Sequence, residues 1–100
     1  MYIAMNRFQV AKGMEEGFEK LWRERDSYLD QTPGFKSFYL LKGEENESSI
    51  LYSSHTVWES KQDFDAWVQS DAFRKAHQDA KAPKGTYLGP PKFEGFKVVL

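Results

Sequence analysis

Apolar and polar positions alternate from Tyr2 to Val10, which predicts a β-strand. One row of that strand holds Tyr2, Ala4, Asn6, Phe8 and Val10; the other holds Ile3, Met5, Arg7 and Gln9. From Met14 to Leu29 the period changes. Met14, Phe18, Leu21, Trp22, Arg25, Tyr28 and Leu29 recur at three- and four-residue steps, which predicts a helix after Gly13, with Glu15 and Glu16 favourably placed near its positive end. Thr32, Pro33 and Gly34 end it in a turn. Phe35 to Lys42 reads as a second strand, the polar stretch Gly43 to Ser49 as a hairpin loop, and Ile50 to Trp58 as a third strand. Ser60 to Gln69 has Phe64, Trp67 and Val68 on one helical face, with Ser60 as its N-cap. Ser70 and Asp71 interrupt, and a further helix runs to about Lys81. Ala82 to Pro91 is a Pro/Gly loop that cannot continue a helix, and Phe93 to Leu100 is a fourth strand.

Strand, helix, strand, strand, helix, strand is the α+β order of a ferredoxin-like (split βαβ) domain, an antiparallel sheet with helices on one face. The length of 100 residues suits one domain spanning residues 1–100. A sheet covered on one face should alternate cleanly, yet the first strand has apolar residues in both rows. The uncovered face is therefore expected to pack on a second copy, giving a two-fold homodimer and a dimeric α+β barrel.

Composition narrows the chemistry. Aromatic residues reach 16%, more ring surface than a small core needs, so part of it is available for a pocket or an interface. The net charge of −1 gives no basic surplus to attract nucleic acid. The absence of cysteine removes disulfides, thiolate nucleophiles and Cys-ligated metals, and fits a cytoplasmic protein. Neither a signal peptide nor an apolar run long enough to span a bilayer is expected. No P-loop, dinucleotide fingerprint or nucleophile–base pair is found, so no flavin or NAD site is expected.

Three residues carry candidate chemistry. Asn6 is the one strongly polar member of an apolar strand row; it is either a core amide bonded to nearby backbone or a donor aimed at a ligand. His77 shares a helical face with Phe73, Ala76 and Ala80, and is either a half-buried packing residue or an axial metal ligand, for which neutral imidazole is suited. Trp67 would stand roughly 80° from His77 on one continuous helix; the break at Ser70–Asp71 lets the two converge. Trp22, Phe64 and Phe73 are secondary candidates for an apolar pocket, with core packing as the plainer role. His55 has no second histidine at metal-ligand spacing and reads as a solvent-side or interface residue.

The stretch TVWESKQDFDAWVQSDAFRKAH, residues 56–77, resembles the IsdG-type haem-degrading monooxygenases of the wider antibiotic biosynthesis monooxygenase superfamily. MNRFQVAKG in the first strand and the Pro33-Gly34-Phe35 entry to the second fit the same family, so the resemblance covers most of residues 1–81. It implies a dimeric ferredoxin-like fold in which haem is both substrate and oxygen-activating centre. It also implies an Asn–Trp–His trio falling on Asn6, Trp67 and His77. His77 would be the proximal ligand to the haem iron, Asn6 the distal donor towards bound oxygen, and Trp67 a wedge that ruffles the porphyrin. Electrons would come from an external donor, an electron-donating reductase. Arg7 and Lys75 are open possibilities for the propionates. Two other activities share parts of this pattern. A cofactor-free monooxygenase acting on an aromatic, quinone-forming substrate does not need His77. A non-catalytic haem carrier or sensor needs His77 but not the other two.

Overall fold

A computed structural model describes residues 1–25, 27–78 and 81–100, with the side chain of Gln78 left aside. Four strands, β1 (Tyr2–Ala11), β2 (Phe35–Glu45), β3 (Ser49–Trp58) and β4 (Lys92–Lys97), form one antiparallel sheet in the order β2-β3-β1-β4. Helices α1 (Glu15–Glu24), α2 (Lys61–Val68) and α3 (Asp71–Gln78), with a 3₁₀ turn at Leu29–Gln31, supply the second layer. This is the ferredoxin-like arrangement that the order of elements predicts.

Register decides which side chains meet the helices. Tyr2 pairs with Trp58, Ala4 with Thr56, Asn6 with Ser54 and Phe8 with Tyr52, so the even row of β1 and the even row of β3 share one face. Two buried clusters form there. Tyr2, Ala4, Leu29, Trp58, Trp67 and Ala76 make the first. Phe8, Val10, Phe18, Ile50 and Tyr52 make the second. Trp58 is fully buried, and its indole N–H donates to Thr56 Oγ1 at 2.9 Å. The other face carries Ile3, Met5, Leu51 and Val57, together with exposed Tyr39, Leu41 and Phe96. His55 lies on that face, its ring 6.3 Å from Tyr39.

Boundaries depart from the sequence reading at several points. The first helix stops at Glu24, not Leu29: Arg25 is extended (ψ 143°) and Tyr28 is left-handed (φ 60°). Ser27 Oγ accepts from the Leu29 amide at 3.4 Å, a local side-chain bond that competes with helix. The reversal carries Leu29 away from the α1 face and into the Trp58 cluster. Asp26 lies outside the described residues. β2 runs on to Glu45, because the Asn46 side chain makes the turn by itself. Its Oδ1 accepts from the amides of Ser48 and Ser49, each at 2.9 Å, so the hairpin needs only residues 46–48. α3 is described to Gln78; the expected continuation through Asp79 and Ala80, including Ala80 on the His77 face, lies outside the described residues. β4 ends at Lys97 rather than Leu100, and the loop before it is tied to β1 by Ala11 N–H to Thr86 O (2.8 Å) and Leu88 N–H to Gln9 O (2.9 Å).

Other local signals hold. Ser60 Oγ accepts from the Asp63 amide at 3.2 Å, as the N-cap assignment requires. Gly34 has φ +83°, and a Cβ there would lie 2.3 Å from the Asp63 side chain, so the turn requires glycine twice over. No helix among the described residues is long and apolar enough to cross a membrane.

Candidate active site

A cavity of about 340 Å³ opens between the helix layer and the sheet. Ala4 and Asn6 of β1, Phe38 of β2, Ser54 and Thr56 of β3 and Phe93 of β4 line the sheet side. Trp22, Phe64, Trp67, Phe73 and His77 line the helix side, with Arg25 and Leu29 from the segment after α1. The three principal candidates from the sequence, Asn6, Trp67 and His77, and all three secondary ones, Trp22, Phe64 and Phe73, therefore face one space. No aspartate or glutamate among the described residues is in its wall.

The break between α2 and α3 places the last members. Ser70 Oγ donates to Trp67 O at 2.6 Å and accepts from the Phe73 amide at 3.1 Å. One hydroxyl thus closes α2 and caps α3. The result is an edge-to-face contact of Trp67 with Phe73 (5.6 Å, 88°), and Phe73 in turn packs on His77 at 4.0 Å. Trp67 is buried and also touches Trp58 at 6.3 Å, so its indole is held from two sides.

His77 Nδ1 lies 2.8 Å from the Phe73 carbonyl. A carbonyl oxygen only accepts, so Nδ1 carries the proton and donates, which leaves Nε2 with its lone pair free. The side chain is more exposed than the half-buried position expected from sequence; of the described residues on that face, Ala76 is buried in the core and Phe73 packs partly against it. Burial of the ring, more than any other influence, lowers its proton affinity below the ordinary histidine value; the Phe73 carbonyl opposes this and the nearby Arg25 charge adds to it. The ring is consequently neutral at pH 7. Because its pKa is depressed, acidification is felt below the ordinary value of about 6.5, not above it. A ligand held through Nε2 is expected to stay bound as pH falls through 6.5 and to be released at lower pH, a transition that an absorbance titration reads directly.

The Asn6 carboxamide makes no hydrogen bond to another described residue, which removes the reading of it as a backbone-bonded core amide. It stands half-buried in the cavity wall with its N–H groups uncommitted. Arg7 and Lys75 do not line the cavity; Arg7 instead pairs with Glu94 at 2.7 Å on the far face of the sheet. The cavity's cation is Arg25, which helical spacing alone had assigned only to the α1 face. Its guanidinium lies over the Trp22 ring, 4.5 Å from Cζ to the centroid. The signal that locates it, the chain reversal after Glu24, is not visible in the periodicity.

No group of three or more His, Asp or Glu side chains that could hold a bare metal ion occurs among the described residues. One imidazole facing an aromatic cavity is too few ligands for a free divalent ion. It suits a metal that arrives already held in a flat macrocycle.

The chain is similar to several known proteins. Residues 1–79 match the model of the antibiotic biosynthesis monooxygenase family. A staphylobilin-producing haem oxygenase of Staphylococcus haemolyticus (strain JCSC1435) is 32% identical over 80 residues, covering 79% of this chain and 75% of the relative. The haem degrader MhuD of Mycobacterium tuberculosis, solved with two haems in its active site, superposes with a TM-score of 0.77 at 28% identity, covering 100% of this chain and 97% of that one. An arginine-to-serine variant of MhuD, with two manganese protoporphyrin IX molecules per active site, gives 0.80 at 27% identity, covering 100% of this chain and 96% of that one. On this ground the chain belongs to the antibiotic biosynthesis monooxygenase family, in its IsdG-type, haem-degrading branch.

Proposed function

We propose that this protein is a haem-degrading monooxygenase that binds haem through His77 and opens the porphyrin with O₂ and external electrons, releasing iron. The observation that carries the reading is one cavity with two uncommitted groups. His77 Nε2 is free because Nδ1 is tied to Phe73 O, and the Asn6 amide has no hydrogen-bond partner among the described residues. One comes from the helix layer and the other from the sheet, so a flat ligand between the layers has a group towards each face.

Each residue then has a physical task. His77 supplies a neutral donor nitrogen whose ring orientation is fixed by the hydrogen bond from Nδ1 to the Phe73 carbonyl. Asn6 offers a preorganised N–H where negative charge builds on oxygen; such donors matter most in a dry, apolar site. Trp67, braced by Trp58 and Phe73, is stiff enough to press on a macrocycle and distort it. Phe64, Phe73 and Trp22 supply the apolar walls and help exclude water. Haem, when bound, supplies the oxygen-activating chemistry itself. Electrons enter from a separate reductase.

The assembly proposed is a cytoplasmic homodimer. The sheet face opposite the helices, with Tyr39, Leu41 and Phe96 exposed beside Ile3, Met5 and Val57, is apolar enough to be an interface, and a two-fold contact would cover it.

Hemin added to the purified protein, followed by a reductant under air, tests the function. A saturable Soret shift and then progressive loss of the band with iron release is the expected outcome. A Soret band that survives the reductant means a carrier or sensor. Absence of any specific shift rejects haem altogether and favours a cofactor-free oxygenase.

A further inference from the structure

We propose, resting on the haem reading above, that Ser54 is a second hydrogen-bond donor on the sheet side of the cavity, acting beside Asn6 on a small ligand of the haem iron. Strand register makes the two residues neighbours. Ser54 stands directly opposite Asn6 in the β1–β3 pair, and on its other side it faces Leu40 of β2. Side chains paired across strands in this way have Cβ atoms about 4.5–5.5 Å apart. Both residues line the cavity, so their polar groups form one patch in a sheet wall that also holds the apolar side chains of Ala4, Phe38 and Phe93.

The other hydroxyls in the same row of β3 show what sets Ser54 apart. Tyr52 donates to the Glu19 carboxylate. Thr56 Oγ1 donates to Ala4 O at 3.2 Å and accepts from Trp58 Nε1 at 2.9 Å. Both are engaged by the protein. The Ser54 hydroxyl makes no hydrogen bond to another described residue; its carbonyl, in contrast, accepts from Ser53 Oγ at 3.1 Å. Ser54 is nevertheless buried in the wall. A flat apolar ring entering the cavity would strip water from that hydroxyl, a cost that stands unless the ligand brings a new partner. With iron held by His77 from the helix layer, the open face of the metal is turned to the sheet, where Asn6 and Ser54 lie. The two groups differ usefully. A carboxamide points its N–H bonds along a fixed plane, whereas a hydroxyl rotates, and it donates to a ligand while accepting from a neighbouring amide. Donors of this kind act most strongly on charge in apolar surroundings.

Ferric haem-loaded protein titrated with fluoride, a small anion that accepts hydrogen bonds strongly, tests the assignment without turnover. Ser54→Ala is expected to weaken fluoride about tenfold, the worth of one hydrogen bond to a charged ligand, with hemin affinity within about twofold of the parent. Ser54→Thr keeps the hydroxyl in a residue that suits a strand, and should restore fluoride affinity. The carbon monoxide complex of the reduced, haem-loaded protein gives a second readout. A donor to the ligand oxygen lowers the C–O stretch, so the infrared band should move up in the Ala variant and return in the Thr variant. Fluoride affinity and C–O stretch unchanged by Ser54→Ala overturn the proposal while leaving haem binding intact. So does a Thr variant as impaired as the Ala variant, since side-chain size and not the hydroxyl would then decide. If hemin gives no saturable Soret change with the unmodified protein, the haem reading itself fails and the Ser54 assignment falls with it.

Discussion

His77→Ala is expected to stop haem turnover and to weaken haem binding by more than the roughly 10–100-fold that follows from disturbing a group that only hydrogen-bonds to a metal ligand. Among the described residues the cavity provides one nitrogen with a free lone pair and no carboxylate to replace it, so on the proposed ligation the substitution would remove the protein's contribution to the iron. The fold should hardly notice. His77 is exposed, its hydrogen bond is to its own helix, and surface changes of this kind stay within about 0.5 kcal/mol. Thermal melting alongside a Soret titration separates the two effects. An alanine variant that degrades haem at the parent rate would show that iron is held elsewhere.

Asn6→Ala should give the opposite division: haem binding within a few-fold of the parent and turnover down about 10²–10³-fold, the typical loss for one preorganised donor to developing oxygen charge. The structure makes this a clean substitution. The carboxamide has no hydrogen-bond partner among the described residues, so its removal breaks no network and leaves no orphaned acceptor. Single-turnover decay of preloaded haem under air reads the chemistry apart from binding. Undiminished decay would take Asn6 out of the oxygen chemistry and leave it as a polar lining residue.

The strand order and the burial rows were legible because they rest on period alone. The even row of β1 meets the helices, as its Tyr2, Ala4, Phe8 and Val10 require. Asn6 was conspicuous for the same reason, as a polar residue in that row. Trp67 and His77 were legible once Ser70 was read as a break, since a hydroxyl at that point can serve both helix ends. What periodicity could not deliver were boundaries set by single side chains. Asn46 shortens the hairpin by gathering two amides, and Ser27 with left-handed Tyr28 ends the first helix early. That second event relocates Arg25 from a helical face to the cavity edge, so the site's cation was hidden while its histidine was not. Arg7 and Lys75 drew notice from charge alone, and the register of β1 with β4 turns Arg7 to the far face, against Glu94.

Aerobic single turnover of the haem-loaded protein under ¹⁸O₂, with the tetrapyrrole product examined by mass spectrometry, tests the central claim most directly. The expected product is an open tetrapyrrole that carries ¹⁸O, formed together with free iron. Haem recovered intact, or broken into unlabelled fragments, would contradict a monooxygenase that cleaves the macrocycle with O₂.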